Sequence, residues 1–479
     1  MSESAPKSWW ESRFPQVTAA VQRFPLAVAI AAAFTLYALT LADMSDVALR
    51  VLQFLVASFL WVVAVDFFAE SQGHALRARA LLWSGGMLVL AFLFWFAWDI
   101  WLVPWLLLGG LLLLPTLAGH LGRGETNETF WLFNHRLVLA ALLAGIGAGL
   151  LLVGLLAIVQ TVEFLFAPGL PDEVFKYVWT ISLGLIAPVS FLTVAPRSFA
   201  DRITKKEEGE FTFRATAALV KFVLVPLLLV YTTILYAYAA KIALAWELPK
   251  GTLGSMVMAY LLIGAITLLL AYPSRDASGP LVRLFWRYWV WLAALPVLLL
   301  FIAVFRRIAD YGVTEPRYLI ALVGVWALIL AGARILSGER FDLRIVPGAL
   351  SLLMLAASFG PGGAVGFSVM SQKEELAEIL TEKGVLVDGK IVPQTSADSN
   401  LYGDQAWRVR GIAWYLNMRR SLGVLAPWFE GLTDDPFAPG KTPEETVRGA
   451  FTALGLTPGV LPPESRGDFP ILPPGALGP

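Results

Sequence analysis

Apolar runs of about twenty residues recur along the chain, separated by short polar punctuation. A helix crossing a bilayer needs roughly 20 mostly apolar residues. Eleven runs satisfy this, near 24–42, 47–69, 80–98, 100–119, 137–160, 174–194, 219–243, 254–272, 288–308, 317–335 and 345–367. Their flanks support the reading. Lys221 and Lys241 stand twenty residues apart, about 30 Å on a helix, so both ammoniums can reach opposite interfaces. Trp95, Trp98 and Trp101 surround Asp99 and predict a short turn inside an aromatic belt.

The pattern changes after the eleventh run. "SQKEELAEILTEKG" predicts an amphipathic helix with Ser371 as N-cap and Gly384 as C-cap. "VLVDGKIV" is a short hairpin signal turning at Asp388 and Gly389. "GDQAWRVRGIAWYLNMRRSLG" predicts a second helix ending at Gly423, and "KTPEETVRGAFTALG" a third with Thr442 as N-cap and Pro443 at its first position. From Thr457 the chain is rich in Pro and Gly, with no expected fold. The expected organisation is a cytoplasmic N-terminal segment (1–23), a transmembrane helical domain (24–369), a small extracytoplasmic α+β domain (370–456) and a tail (457–479). The fold class is thus an all-α polytopic membrane protein of about eleven transmembrane helices with a small C-terminal α+β domain.

Composition agrees. Of 479 residues, 57% are hydrophobic and 15% charged, whereas a soluble domain is nearer a quarter charged. The formal charge of zero leaves no global field to attract nucleic acid. The absence of cysteine excludes disulfides, thiolate nucleophiles and Cys-ligated metal centres. The opening "MSESAPKSWWESRFPQV" lacks the layout of a cleaved signal peptide, so the first apolar run is expected to stay as an anchor. With the N-terminus cytoplasmic, eighteen Lys and Arg from Lys7 to Arg344 fall on the inner side, against seven in the outer turns. That is the positive-inside bias of a bacterial inner-membrane protein, and an odd span count sends the C-terminus outside.

One charged stretch between two apolar runs is "RRIADYGVTEPRYLI", Arg306 to Ile320. Gly312 is expected to end one helix in a left-handed cap, and Thr314, Glu315 and Pro316 to begin the next. Arg306, Arg307 and Arg317 are then expected to converge with Asp310, Tyr311 and Glu315 at the outer interface, beneath the C-terminal domain. Three arginines against two acids run counter to the positive-inside trend. This points to membrane lipids, an anionic headgroup or an envelope protein as partner. Interfacial anchoring with surface ion pairs, each worth at most about 1 kcal/mol, is the plainer alternative.

"RRIADYGVTEPRYL", the Gly-Pro break and "FSVMSQKEELAEILTEKGVLVDGKI" after it, and the upstream "VPLLLVYTTILYAYAAKIAL" with "LPKG" together resemble a family of bacterial inner-membrane proteins catalogued only as a domain of unknown function. The resemblance covers about residues 200 to 420. It implies a membrane topology and no established activity. In "QKEEL" the family pattern leads one to expect a basic residue near Glu375.

Other features carry less. Asp43 and Asp46 fall in the first outer loop, where multi-span lipid-linked glycosyltransferases place an acidic base. Asp46 would equally serve as a helix N-cap. Asp66, Glu163 and Lys221 lie near span boundaries and are expected to snorkel. His74, His120 and His135 fall in inner loops, and no metal or other cofactor is expected. "APGKT" (438–442) lacks the upstream glycine of a phosphate-binding loop. Gly145 and Gly149 have the spacing of close helix packing. Gly360 and Pro361 in "FGPGGAVGF" should break the last span near the outer face. No complete catalytic constellation appears. The leading expectation is a non-enzymatic envelope protein that binds lipid headgroups, a solute or a protein partner at its outer face, with a transporter or a lipid-linked transferase as alternatives.

Overall fold

The computed structural model describes residues 15–96, 102–122, 126–166, 169–204, 210–245, 253–392 and 403–454. Lys7, Arg13, Trp98, Asp99, Trp101, Arg123, Lys205, Lys206, Lys250 and the 457–479 tail lie outside the described residues.

Helix α1 (Pro15–Arg23) meets α2 (Pro25–Thr40) at a bend of 103°. Pro25 has no N–H to continue a helical ladder, so the helix restarts there with proline at its first position. The first apolar segment therefore begins earlier than 24 and is bent. Then come α3 (Asp46–Gln72), α4 (Leu76–Phe96), α5 (Val103–Ala118) and α6 (Asn127–Phe166). Ser45, rather than Asp46, caps α3. Its hydroxyl accepts from Ala48 N at 3.2 Å, and Asp46 opens the helix as its first residue.

Next are α7 (Asp172–Val194), with a π turn over Ser182–Ile186, and α8 (Phe211–Ala245), with a π turn over Val220–Leu224. They are followed by α9 (Leu253–Ala271), α10 (Pro280–Tyr311), α11 (Glu315–Ser337) and α12 (Ile345–Ala357). The chain ends in α13 (Ala364–Glu382), β1 (Leu386–Val387), β2 (Lys390–Ile391), α14 (Gly403–Met418), α15 (Ala426–Phe429) and α16 (Pro443–Ala453).

Among the described residues eight helices are long and apolar enough to cross a membrane, or nine if the bent α1–α2 pair is one span. The chain is an α-helical, multi-pass membrane protein. Helices α5 and α12 are apolar but have 16 and 13 residues, about 24 and 20 Å of helix, short of a hydrocarbon core of about 30 Å. The expected span 345–367 is not one helix. It stops at Ala357, turns through Gly360 at φ +80°, and restarts at Ala364. Because α13 then runs on to Glu382, Ser371 sits inside a helix instead of capping one. Helix α14 likewise ends at Met418, short of Gly423.

The chain forms two compact units, Met1–Tyr238 with Ala259–Pro296 and Val325–Ser358, and Ala239–Met258 with Val297–Gly324 and Phe359–Pro479. In the first, Phe67 is the centre of an edge-to-face aromatic cluster with Phe24 at 5.8 Å and Phe133 at 5.4 Å between ring centroids. Arg23 clamps the bend. Its guanidinium pairs with Glu70 at 2.8 Å and donates to the carbonyls of Ala195 and Pro196. Asp66 does not snorkel: it is fully buried, paired with Arg79 at 2.7 Å and accepting from Trp83 Nε1 at 2.8 Å. Glycine permits a close contact between α5 and α12. A Cβ on Gly110 of α5 would meet Leu355 Cγ of α12 at 2.7 Å, and Ser351 donates to the Gly110 carbonyl at 2.8 Å. Gly145 and Gly149 of α6, by contrast, have nothing within 4 Å of a would-be Cβ among the described residues, so they mediate no packing there.

The second unit has its own apolar core. Leu376 and Leu380 of α13, Val385, Val409 and Leu416 of α14, and Phe429 of α15 are completely buried there. The hairpin pairs Leu386 with Ile391 through Asp388 and Gly389, both at positive φ, the conformation a two-residue turn demands. Thr442 caps α16 in a reciprocal capping box with Glu445.

Candidate binding site around the Gly312 turn

The turn between α10 and α11 lies within the second unit. Gly312 has φ +66° and receives Gln372 so closely that a Cβ would stand 2.7 Å from its Nε2. Backbone conformation and space both require glycine at this point. Thr314 precedes the first residue of α11, and its carbonyl accepts from Tyr318 N at 2.9 Å. Glu315 and Pro316 occupy the first turn, as expected.

The charged groups separate into buried and exposed sets. Arg317 is 7% exposed, and its Nη1 donates to the carbonyls of Gly312 at 2.8 Å and Tyr311 at 3.2 Å. It satisfies acceptors at the end of α10 that have no helical partner. Glu315, 3% exposed, accepts from the Tyr415 hydroxyl at 2.9 Å and pairs with Arg419 at 2.7 Å. Burial, and then the Glu315 carboxylate, push the Tyr415 phenol well above its ordinary range, so it stays a donor. Arg306, Asp310, Tyr311 and Pro316 are exposed and Arg307 half-buried.

Helices α13 and α14 bind the same turn. Gln372 Nε2 donates to the carbonyls of Tyr311 at 3.0 Å and Val313 at 3.1 Å, while Ser371 Oγ accepts from Val313 N at 2.8 Å. Arg408 pairs with Glu375 and donates to the Asp310 carbonyl at 2.8 Å. The basic partner of Glu375 thus comes from 33 residues away. Burial raises the Glu375 carboxyl, and the Arg408 charge opposes that shift. The guanidinium carbons of Arg317 and Arg408 each lie 5.6 Å from the centroid of the Tyr311 ring. The Gly360–Gly363 break joins this region too, because Tyr318 donates its hydroxyl to the Gly362 carbonyl at 2.8 Å.

The sequence reading missed Arg408, Tyr415, Arg419, Ser371 and Gln372. A signal was present. Arg408, Tyr415 and Arg419 are spaced by seven and four and fall on one helical face, as do Gln372 and Glu375.

The remaining candidates lie elsewhere. Asp43 and Asp46 are exposed in the turn before α3 and at its start. Glu163 Oε2 accepts from Leu170 N at 3.0 Å, which closes the turn after α6. His120 is buried with Phe130 and Phe133 at 5.5 and 5.2 Å, and His135 stacks on Trp131 at 4.7 Å. Among the described residues no three His, Asp or Glu side chains converge as a metal site.

Residues 26–378 match the model of a family described as Domain of unknown function (DUF4153). Over 262 residues the chain is 26% identical to the Uncharacterized protein PM1469 of Pasteurella multocida (strain Pm70), which covers 54% of this chain and 43% of that relative. The match thus spans less than half the relative's length. No solved structure matches the chain.

Proposed function

The chain belongs to the DUF4153 family, and from that premise we propose a non-enzymatic, multi-pass inner-membrane protein that docks an acidic envelope protein at its extracytoplasmic face. The eight full-length helices and the bent pair support nine passes, and the shorter α5 and α12, in two further apolar runs, bring the reading to eleven. The Lys and Arg bias supports a cytoplasmic N-terminus and an extracytoplasmic domain over 370–456.

One observation carries the docking reading. Tyr311 and Trp407 are 43% and 37% exposed, and each has arginine over its ring: Arg317 and Arg408 at 5.6 Å from Tyr311, Arg410 at 5.2 Å from Trp407. Tyr, Trp and Arg are the side chains in which binding energy concentrates at protein interfaces. Exposed Arg306, on the preceding turn of α10, adds charge for an acidic partner.

Photo-crosslinking from position 407 in living cells tests the reading. A discrete protein adduct that is lost in Arg306→Glu at unchanged abundance is the expected result. Adducts to lipid alone, or a protein adduct indifferent to Arg306→Glu, would overturn it. Replacing Asp43 and Asp46 together by Asn separates the transferase alternative: the docking reading expects full complementation of a deletion strain.

A further inference from the structure

A second arginine–aromatic cluster is built around Trp286, near the start of α10, entirely within the first unit. Arg275 follows α9, and its guanidinium carbon lies 4.3 Å from the Tyr272 ring centroid and 5.6 Å from that of Trp286. Arg334 of α11 lies 5.5 Å from the same Trp286 ring and 5.8 Å from Phe341. Two guanidiniums, one from the turn after α9 and one from α11, therefore share one indole.

Their protein partners are few. Arg275 Nη1 donates to the Tyr272 carbonyl at 2.6 Å, and its Nε is 3.5 Å from Asp276, whose side chain is 81% exposed. Arg334 donates to the carbonyls of Gly338 at 2.9 Å and Trp286 at 3.4 Å. Among the described residues neither Arg275 Nη2 nor Arg334 Nε has an acceptor. Two like charges gathered on one ring repel unless an anion lies between them. The acidic side chains at hand, Asp276 and Glu339, are both exposed. Arg283 and Arg287, exposed on α10, enlarge the positive patch.

The surroundings decide what kind of anion fits. Leu281 and Leu284 on α10 and Leu336 on α11, within five residues of Trp286 or Arg334 along their helices, are 50%, 45% and 89% exposed. On a membrane protein such residues face acyl chains. A ligand that meets the arginines with a phosphate and the leucines with hydrocarbon is a phospholipid. We infer that Arg275 and Arg334, held over Trp286, form a binding site for the phosphate of an anionic phospholipid headgroup. The site lies on residues apart from the docking surface at Tyr311, and neither requires the other. The indole orients the guanidiniums, and their free N–H groups donate to the phosphate oxygens.

The test uses the full-length protein in nanodiscs of phosphatidylcholine with and without phosphatidylglycerol. Bound lipid is counted by native mass spectrometry after mild delipidation, and thermal unfolding is followed in parallel. Wild type is expected to retain phosphatidylglycerol preferentially and to unfold at a higher temperature in its presence. Arg275→Gln with Arg334→Gln should weaken retention roughly thirtyfold, at about a fivefold contribution per basic residue near the surface. Arg334→Lys keeps the charge but loses the stacked fork, and should fall between the two. Arg197→Gln, at an exposed position elsewhere, should match wild type. Equal retention of both lipids by wild type overturns the proposal without any variant having to fold. So does unchanged retention in the double variant. Displacement of phosphatidylglycerol by millimolar inorganic phosphate would assign the site to free phosphate and overturn the lipid assignment.

Discussion

Tyr415 donates its hydroxyl to Glu315 across 2.9 Å, joining α14 to the first turn of α11 over 100 residues of chain. Both side chains are at most 5% exposed, and Arg419 completes the set at 2.7 Å from the same carboxylate oxygen. A carboxylate this deep needs its partners, and the C-terminal helix supplies them.

Removing that hydroxyl should therefore loosen the second unit. Tyr415→Phe is expected to cost about 2 kcal/mol, the order of a hydrogen bond to a buried charged acceptor. Thermal unfolding in detergent would show a lower midpoint. Glu315→Gln in the Phe background should cost more, because it takes the carboxylate away from the buried Arg419 guanidinium. An unchanged midpoint in Tyr415→Phe would mean that Arg419 alone satisfies Glu315.

Glu375 should make stability depend on pH. Burial raises its carboxyl in the folded chain, with Arg408 opposing. Between the ordinary glutamate value and the raised one, the folded state holds more protons than the unfolded state, so stability falls as pH rises through that window. Glu375→Gln should flatten this part of the profile. Arg408→Ala should widen the window by removing the opposing charge. Unfolding midpoints measured across mildly acidic pH would decide between these outcomes.

His120 should act in the opposite sense. Burial, the largest cause, holds its folded value down to about 4 against an ordinary 6.5. As pH falls from 6.5 towards 4, the unfolded chain takes up protons that the folded chain refuses, and stability declines. His120→Gln should lose this slope while keeping a polar side chain between Phe130 and Phe133. A slope equal to that of wild type would place the titration elsewhere.

Two glycine substitutions should separate. Gly110→Ala puts a Cβ 2.7 Å from Leu355 Cγ and 3.2 Å from Leu355 N, so α5 and α12 must part, at about 1–3 kcal/mol. Gly149→Ala meets nothing within 4 Å and gains helix propensity, so it should be neutral or stabilising by up to about 1 kcal/mol. Thermal unfolding of the purified variants would show whether the two differ in this direction.

Membrane class, the approximate position of the long apolar helices among the described residues, the Gly312 turn, the Asp388–Gly389 hairpin and the Thr442 cap follow from the sequence by itself. Each depends on local physics: apolar length, the left-handed freedom of glycine, or a side chain reaching its own backbone three residues on. The tertiary structure alone decided which charges are spent. Arg306 and Arg317 read alike as surface charges beside a turn, yet Arg306 is exposed while Arg317 is consumed by the carbonyls of Tyr311 and Gly312. Glu315 reads as a first-turn helix acid but is the buried acceptor for residues 100 or more positions away. Gly149 has the packing spacing and packs nothing among the described residues, whereas Gly110, inside "LLLGGLLLL", lets α12 approach closely. The reason is common to all three. A one-dimensional pattern records what each residue can do within a few turns of helix, whereas the partner of a buried charge or a missing Cβ comes from another helix.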